Sequence, residues 1–344
     1  MTENTAAQLD LVAIEKYLTA HLPGFRGPIS LHKFSVGQSN PTFRLTTPSG
    51  DYVLRRKPPG VLLKSAHAVD REYRVQKALA DTDVPVARMH LLCEDNDVIG
   101  SAFYVMENVE GRRFDDPALP ELDIADRRPV LNEMGRVLAA IHDVDINAVG
   151  LGDYGPEGNY FERQVGRWSK QYEASKTDEI PQMDELSQWL AANIPADDGQ
   201  RTLVHGDYRI DNMLWAADEP RVVAVLDWEL STTGHPFADV GAVIMQWAMP
   251  PGKEGRGLAG IDRTAQGLVT DEEFIAHYCD LRGLPGIDKF GFYLAFNFFR
   301  MGGILQGVLK RAIDGNASNP ERAKKLGGFV PVFANAGLQA AKTV

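Results

Sequence analysis

Residues 205–212 read HGDYRIDN, and this stretch says more about the fold than any other part of the 344-residue chain. Asp207 follows a short β-like run, and Asn212 comes five residues later. A second carboxylate, Asp227, ends the run VVAVL at 222–226, whose unbroken apolar pattern is typical of a buried strand. Phosphoryl transfer needs one carboxylate for the proton of the attacking hydroxyl, and an amide oxygen and a carboxylate for Mg²⁺. The three residues in this order therefore indicate a phosphotransferase site.

Upstream of this stretch the chain is predicted to be mainly β. Alternating or apolar runs predict strands at 29–35, 42–46, 52–56, 86–93 and 102–107. Between the third and fourth strands, Ala68, Val75 and Leu79 predict a helix that carries Glu72 on its apolar face.

Downstream the pattern becomes helical. Helices are predicted around 130–141, 160–176, 183–193, 271–282 and 287–313. We therefore expect an α+β chain with a mainly β lobe at 1–108 and a mainly helical lobe at 109–344. The segment GLGDYG at 150–155 fits a dinucleotide-binding pattern but lacks a preceding strand, so we interpret it as a loop.

Composition excludes several classes of protein. The 44% of apolar and 24% of charged residues are typical of a globular chain, and the net charge of −11 disfavours non-specific nucleic-acid binding. Cys93 and Cys279 are too few for a disulfide framework or a cysteine zinc site. Because the N-terminus lacks an apolar leader, and Arg300 interrupts the one membrane-span candidate at 290–309, we expect a cytoplasmic protein without a membrane partner.

The HGDYRIDN stretch, with DWE at 227–229 and GHPFAD at 234–239, resembles the aminoglycoside phosphotransferase (choline-kinase-like) family. That resemblance implies a protein-kinase-like two-lobe fold and the cofactors ATP and Mg²⁺. It also implies the roles of individual residues, which are Asp207 as catalytic base, Asn212 and Asp227 as metal ligands, Asp239 as a structural anchor under the catalytic loop, and His205 as a structural loop residue. Glu229 is expected either to assist at the metal or to be a solvated acid.

The nucleotide side follows from the same resemblance. The loop between the first two strands has small residues that let backbone N–H groups approach phosphate, and its candidates are Ser35, Gly37, Gln38, Ser39 and Asn40. Arg55 occupies the position of the usual kinase lysine, where it can act as a bidentate phosphate donor. Glu72 is its expected partner, because an unpaired carboxylate on an apolar helix face is costly. Residues 103–109, including Glu107 and Val109, form the expected adenine hinge.

The acceptor is predicted from the late helix, which is aromatic and basic. Arg300 lies within an apolar run and needs an anionic partner. With Lys310 and Arg311 it favours an anionic, partly apolar substrate. Segments at 52–60, 67–74 and 298–318 resemble the kinase-like domains fused to acyl-CoA dehydrogenases and their stand-alone relatives. That subgroup implies a hydroxyacyl-CoA acceptor, above all a 4-hydroxyacyl-CoA, and a separate acyl-CoA dehydrogenase as pathway partner.

Three alternatives stay open at this point. The first is phosphorylation of an aminoglycoside, a choline-like amino alcohol or a sugar. The second is a pseudokinase that binds nucleotide without turnover, which the arginine at position 55 favours and the presence of Asp207, Asn212 and Asp227 disfavours. The third is a protein kinase, which the absence of an A-P-E ending and the replacement of D-F-G by DWE disfavour.

Overall fold

A computed structural model describes residues 9–34, 40–58, 68–252, 255–317 and 319–344. The strands of this part of the chain are β1 (Ser30–Lys33), β2 (Thr42–Thr47), β3 (Gly50–Arg56), β4 (Met89–Cys93), β5 (Phe103–Glu107), β6 (Thr202–Val204), β7 (Met213–Trp215), β8 (Val222–Val225) and β9 (Thr232–Gly234). The helices are α1 (Leu11–His21), α2 (Val69–Ala78), α3 (Asn96–Ile99), α4 (Ile124–Asp143), α5 (Tyr160–Ser175), α6 (Pro181–Ala192), α7 (Phe237–Trp247), α8 (Asp271–Arg282), α9 (Phe290–Ile313), α10 (Pro320–Gly327) and α11 (Val330–Ala341).

The chain divides into two compact units. The first comprises residues 1–113, 147–151 and 211–231, and the second comprises 114–146, 152–210 and 232–344. The boundary predicted at residue 108 stays a prediction of domain organisation. The compact units differ from it mainly because residues 211–231 group with the N-terminal sheet.

The first unit is built on an antiparallel sheet with the strand order β1-β2-β3-β5-β4. Side chains alternate between its two faces, as the pleat requires. Phe103 and Val105 pack in a cluster with Ile14 and Leu18 of α1, whereas Tyr104 between them packs in a cluster with Val69 of α2. This alternation confirms the predicted β-rich region, and α1 is an element that the sequence analysis missed.

The same unit contains a second, two-stranded sheet of β7 and β8. It is tied to the N-terminal sheet region by the backbone N–H of Val225, which donates to the carbonyl of Pro85 at 2.8 Å. The predicted strand at 222–226 is present as β8, which ends one residue earlier and buries Val222, Ala224 and Val225. Asp227 follows two residues after its end.

The second unit is mainly helical. The central helices α7 and α9 pack closely, because Gly241 faces the backbone of Tyr293 and a Cβ there would lie 2.8 Å from its carbonyl oxygen. The predicted helices α4, α5, α6, α8 and α9 are confirmed, and residues 150–155 form turns, as predicted. No helix of the described residues combines the length and apolarity needed to cross a membrane.

Candidate active site

The loop that carries Asp207 follows β6 in the second unit. Gly206 has a φ of +81°, a left-handed conformation that glycine adopts without a Cβ penalty. The carboxylate of Asp239, at the start of α7, accepts hydrogen bonds from the backbone N–H groups of His205 at 2.6 Å and of Gly206 at 2.9 Å. The predicted anchor under the catalytic loop is therefore present.

Asp239 is buried but remains an anion. Burial by itself raises the pKa of Asp239, yet His142, His205 and the Gly206 N–H lower it below its ordinary value. His142 lies with Nε2 3.4 Å from the Asp239 carboxylate and with Nδ1 2.7 Å from the Tyr278 hydroxyl. Burial lowers the pKa of His142, and its contact with Asp239 opposes that shift. The histidine thus has a structural environment.

Asp207 is more accessible than its anchor. Its side chain is 34% exposed, and Oδ1 lies 3.3 Å from Nε of Arg209. Its backbone N–H donates to Nδ1 of the buried His205 at 3.2 Å, which agrees with a structural role for that histidine. A carboxylate that is reachable by solvent, on a loop held by backbone hydrogen bonds, is suited to accepting a proton from a bound hydroxyl.

The two predicted metal ligands lie together in the first unit. Asn212 ends a 3₁₀ turn at 210–212, and its carbonyl accepts the backbone N–H of Leu226, which directly precedes Asp227, at 2.8 Å. Asp227 has a φ of +64°, a region that Asp and Asn enter more readily than most residues. The pairing of β7 with β8 thus brings Asn212 and Asp227 to one end of this two-stranded sheet.

This donor set fits Mg²⁺. The ion prefers oxygen ligands, and it typically takes one or two from protein while keeping waters and substrate phosphate oxygens. Asp227 is 33% exposed, and Asn212 is also partly accessible. Within the described ranges no three His, Cys, Asp or Glu side chains converge as an all-protein metal cage. A Mg²⁺ site with two protein ligands, completed by phosphate oxygens and waters, agrees with the partial exposure of Asp227 and Asn212. It also agrees with the absence of a three-ligand cage among the described residues.

Arg55 joins three carboxylates of the first unit. Its Nε lies 2.9 Å from Glu72 Oε2, and its Nη2 lies 2.9 Å from Asp227 Oδ1 and 3.8 Å from Glu229 Oε2. The predicted ion pair with Glu72 is present. Burial opposes the charge of Arg55, but the carboxylates hold its pKa above the ordinary value. An arginine reaches two partners at once through different nitrogens, which a lysine does less well.

Glu72 lies inside a polar cluster. Asn40 Nδ2 donates to its Oε1 at 2.6 Å, and the Tyr104 hydroxyl donates to its Oε2 at 3.1 Å. Burial raises the pKa of Glu72 to about 7, with Asp227 and Glu229 adding to the rise and Arg55 opposing it. Asn40 therefore binds a carboxylate within the protein, although the sequence analysis assigned it to the nucleotide.

The other nucleotide candidates have less definite positions. Ser35, Gly37, Gln38 and Ser39 lie outside the described residues. Glu107 ends β5, where its N–H donates to the Arg88 carbonyl at 2.9 Å and its carboxylate accepts the Arg88 N–H at 3.3 Å. Val109 is half-buried just beyond that strand. Their adenine-binding role stays a prediction.

The three acceptor candidates lie on α9 but have different surroundings. Arg300 Nη2 donates to the Gly206 carbonyl at 2.9 Å, and its guanidinium carbon lies 5.8 Å from the centre of a Trp168 ring. Lys310 pairs with Asp314 one turn later at 2.6 Å. Arg311 is exposed. Among the described residues Arg300 contacts a carbonyl oxygen and an aromatic ring, and the binding of an anionic acceptor by these three residues stays a prediction.

Tyr104 and Trp168 are contacts that sequence reasoning missed. Tyr104 has the register of a strand residue opposite Arg55, so an assumed β3–β5 pairing could have suggested it. Trp168 comes from α5, and no local signal joins it to Arg300, which lies 132 positions later in the sequence.

Known proteins share both the sequence and the fold. The family model described as the phosphotransferase enzyme family matches residues 30–282. Acyl-CoA dehydrogenase family member 11 of Mus musculus is 43% identical over 345 residues, which cover 97% of this chain and 44% of that protein. The chain spans only 29% to 44% of the length of the curated relatives that it matches.

Solved structures agree with this relationship. A Ralstonia eutropha protein assigned to the aminoglycoside phosphotransferases is 49% identical, with a TM-score of 0.90 over 97% of this chain and 99% of its own. Aminoglycoside phosphotransferase APH(4)-Ia, solved with ADP and hygromycin B, shares the fold at 18% identity, with a TM-score of 0.61 over 95% of this chain and 98% of its own. The fold is therefore kinase-like, and the chain belongs to the phosphotransferase enzyme family.

Proposed function

We propose that the protein is an ATP- and Mg²⁺-dependent small-molecule O-phosphotransferase whose acceptor is the hydroxyl of an anionic, partly apolar compound. A hydroxyacyl-CoA is the favoured class, with 4-hydroxyacyl-CoA as its leading member. The observation that carries the proposal is a hydrogen bond that joins the backbone of Asn212 to the residue before Asp227. Beside it lies Arg55, which binds both Asp227 and the buried Glu72. Oxygen ligands and a phosphate-binding cation are the parts that phosphoryl transfer uses.

The proposed chemistry assigns each residue one task. Asn212 and Asp227 hold Mg²⁺, which when bound neutralises charge on the nucleotide phosphates. Arg55, held by Glu72, donates to the α- and β-phosphates. Asp207 accepts the proton of the acceptor hydroxyl as that oxygen bonds to the γ-phosphorus. The bond from the γ-phosphorus to the β–γ bridging oxygen breaks, and ADP leaves with that oxygen.

The acceptor class rests on α9. Arg300 is a cation that pairs with no carboxylate of the described residues, and it lies beside the loop of Asp207. Beyond it, Met301, Ile304, Leu305 and Val308 are only half-buried, so the helix offers apolar surface next to positive charge. The names of the relatives point to acyl-CoA chemistry as well. We propose an acyl-CoA dehydrogenase as pathway partner, a cytoplasmic location, and contributions of Arg311 and Lys310 to the anionic end of the acceptor.

The test is ADP release measured over hydroxyacyl-CoAs, free hydroxy acids, amino alcohols, sugars and aminoglycosides, each with and without Mg²⁺. We expect release with hydroxyacyl-CoAs that requires Mg²⁺ and falls about 10³-fold in Asp207→Asn, which loses the proton acceptor. Asp218→Asn, an exposed carboxylate outside the site, is the matched control and keeps wild-type turnover.

Two other outcomes would replace this proposal. Turnover with aminoglycosides alone contradicts the acyl-CoA assignment while keeping the phosphotransferase. ATP binding without ADP release over the whole panel contradicts the enzyme and favours a nucleotide-binding pseudokinase.

A further inference from the structure

Gly206, the residue before the proposed base, is held by hydrogen bonds at both its N–H and its carbonyl. The N–H of Gly206 donates to Asp239 Oδ1 at 2.9 Å, and the next carbonyl, that of Gly206 itself, accepts from Arg300 Nη2 at 2.9 Å. Both holders belong to the helices α7 and α9 of the second unit. The two ends of one residue are thus tied to two packed helices, and Asp207 is the next residue in the chain.

Helix α9 supports this arrangement through a second side chain. Asn297, one turn before Arg300, donates from Nδ2 to the carbonyl of Ala238 at 3.1 Å. Ala238 directly precedes the anchor Asp239. Residues three apart lie on the same face of a helix, so one face of α9 contacts both the loop and the segment that anchors the loop.

Few other contacts compensate the positive charge of Arg300. It lies between the buried Phe299 and Gly302, and its guanidinium stands over the Trp168 ring at 5.8 Å. A charged group in an apolar segment requires compensation by hydrogen bonds or an opposite charge. Within the described part of the chain, the Gly206 carbonyl is its hydrogen-bond acceptor and no carboxylate forms an ion pair with it.

We propose that Arg300 is a positioning residue for the reaction, acting on Asp207 through the Gly206 carbonyl. This inference rests on the proposed function, and it gives Arg300 a positioning role in addition to the contact with the acceptor proposed above. When the carbonyl loses its donor, the peptide between Gly206 and Asp207 keeps the longer hydrogen bond from the Asp207 N–H to His205 Nδ1 at 3.2 Å. The peptide then gains freedom to rotate, and the Asp207 carboxylate moves with it. Displacement of a catalytic group by about 1 Å can lower a rate about 10²-fold.

The experiment compares Arg300→Met, which keeps length but removes the donor, with Arg300→Lys, which keeps a cationic donor. Arg127→Met is the matched control, because Arg127 is also half-buried in the second unit and donates to a backbone carbonyl, that of Leu122, at 3.1 Å. Three quantities are measured: kcat and KM for acceptor-dependent ADP release, the rate of ATP hydrolysis without acceptor, and hydrogen exchange of the backbone amides in residues 202–209.

A positioning role predicts a fall in kcat of at least about 10-fold in Arg300→Met, an equal fall in acceptor-independent hydrolysis, and faster amide exchange in 202–209. Arg300→Lys recovers part of each quantity, and Arg127→Met changes none. A raised acceptor KM with unchanged kcat, unchanged hydrolysis and unchanged exchange overturns the proposal in favour of acceptor binding.

Failure of the proposed function is distinguishable from failure of this inference. If the wild-type protein releases no ADP with any acceptor, the phosphotransferase assignment fails and the positioning role fails with it. Amide exchange then still reports whether Arg300 holds the loop, independently of turnover.

Discussion

Glu72 and Asp239 are two carboxylates with the same burial and opposite electrostatics. Each is 1% exposed, and each accepts hydrogen bonds from groups of its own unit. Yet the pKa of Glu72 is raised to about 7 whereas that of Asp239 is lowered. Burial favours the neutral acid at both positions, so the difference must come from the neighbours.

The neighbours of Asp239 are donors: two backbone N–H groups and a histidine ring. Those of Glu72 include donors but also two further carboxylates, Asp227 and Glu229, which share Arg55 with it. The Asp239 network is complete within the protein. The cluster around Arg55 has more negative than positive charge, so it is suited to receiving a cation such as Mg²⁺.

The largest effect on stability is expected for Asp239→Asn. The amide keeps one acceptor oxygen but presents an NH₂ group to the second backbone N–H, which leaves a buried donor unsatisfied. We expect the free energy of unfolding in urea to fall by about 4 kcal/mol. Asp198→Asn, whose carboxylate is half-exposed beside His235, is the control and should change it little. Equal effects of the two substitutions would contradict the anchoring role of Asp239.

Arg55→Met tests the excess negative charge of the cluster around Arg55. Without the guanidinium, Glu72, Asp227 and Glu229 lose their shared cation, and we expect a loss of about 3 kcal/mol near neutral pH. The loss should be smaller in mild acid, because Glu72 then takes up a proton. Arg44→Met, which breaks the exposed pair with Asp51, serves as the control for unfolding measurements. A loss that does not depend on pH would argue against coupling between Arg55 and Glu72.

Glu72→Gln isolates the pH dependence of the buried acid. Because the folded pKa is raised above the unfolded value, the folded state binds the proton more tightly, and stability from this group is complete below the unfolded pKa of about 4.3. That stability is lost as the pH rises toward about 7. Urea unfolding across this window should therefore show a decline in the wild type that Glu72→Gln lacks.

For Asp239 the pH dependence of stability has the opposite sign. Its lowered pKa gives stability that is present above the unfolded pKa and lost as the pH falls through the folded value. Glu133→Gln, which alters a partly buried ion pair with Arg136, is the control for the Glu72 variant. An unchanged pH profile in Glu72→Gln would show that Glu72 titrates normally.

Tyr104→Phe is expected to have the smallest effect. It removes one of the donors to Glu72 and leaves the ring packing intact, so stability should fall by about 1 kcal/mol. The pKa of Glu72 should move further upward, because the hydroxyl stabilises the charged form. Tyr73→Phe, on the neighbouring ring, is the control. If the Tyr104 variant is as stable as the control, the Tyr104 hydroxyl does not stabilise the cluster around Glu72.

Much of the fold could be predicted from local patterns. The alternation in β2 and the apolar spacing in α4 are strong because one face of each element is buried. Helix α7 was missed for the opposite reason. Nearly every one of its residues is buried, so it has no polar face to reveal a helical period. Helix α1 had a usable signal that was overlooked, since Asp10 caps it and Ile14 and Leu18 are one turn apart.

The site could be predicted only where chemistry limits the choices. A carboxylate on an apolar helix face requires a donor, and Arg55 was the candidate on the right strand face. The donors from Asn40 and Tyr104 could not be deduced, because each comes from a different strand region and only tertiary packing brings them to Glu72. For the same reason the sequence did not join Arg300 to Gly206, which lie 94 residues apart.

The backbone of Asp227 has a consequence for how such proteins can diverge. Its left-handed conformation is open to Asn as well as Asp at little conformational cost. An exchange of Asp227 for Asn would preserve the chain path and remove the negative charge that the proposed Mg²⁺ site uses. Under the proposed function, a catalytically silent relative with an intact fold is thus one conservative substitution away, and selection for turnover alone would keep the acid at this position.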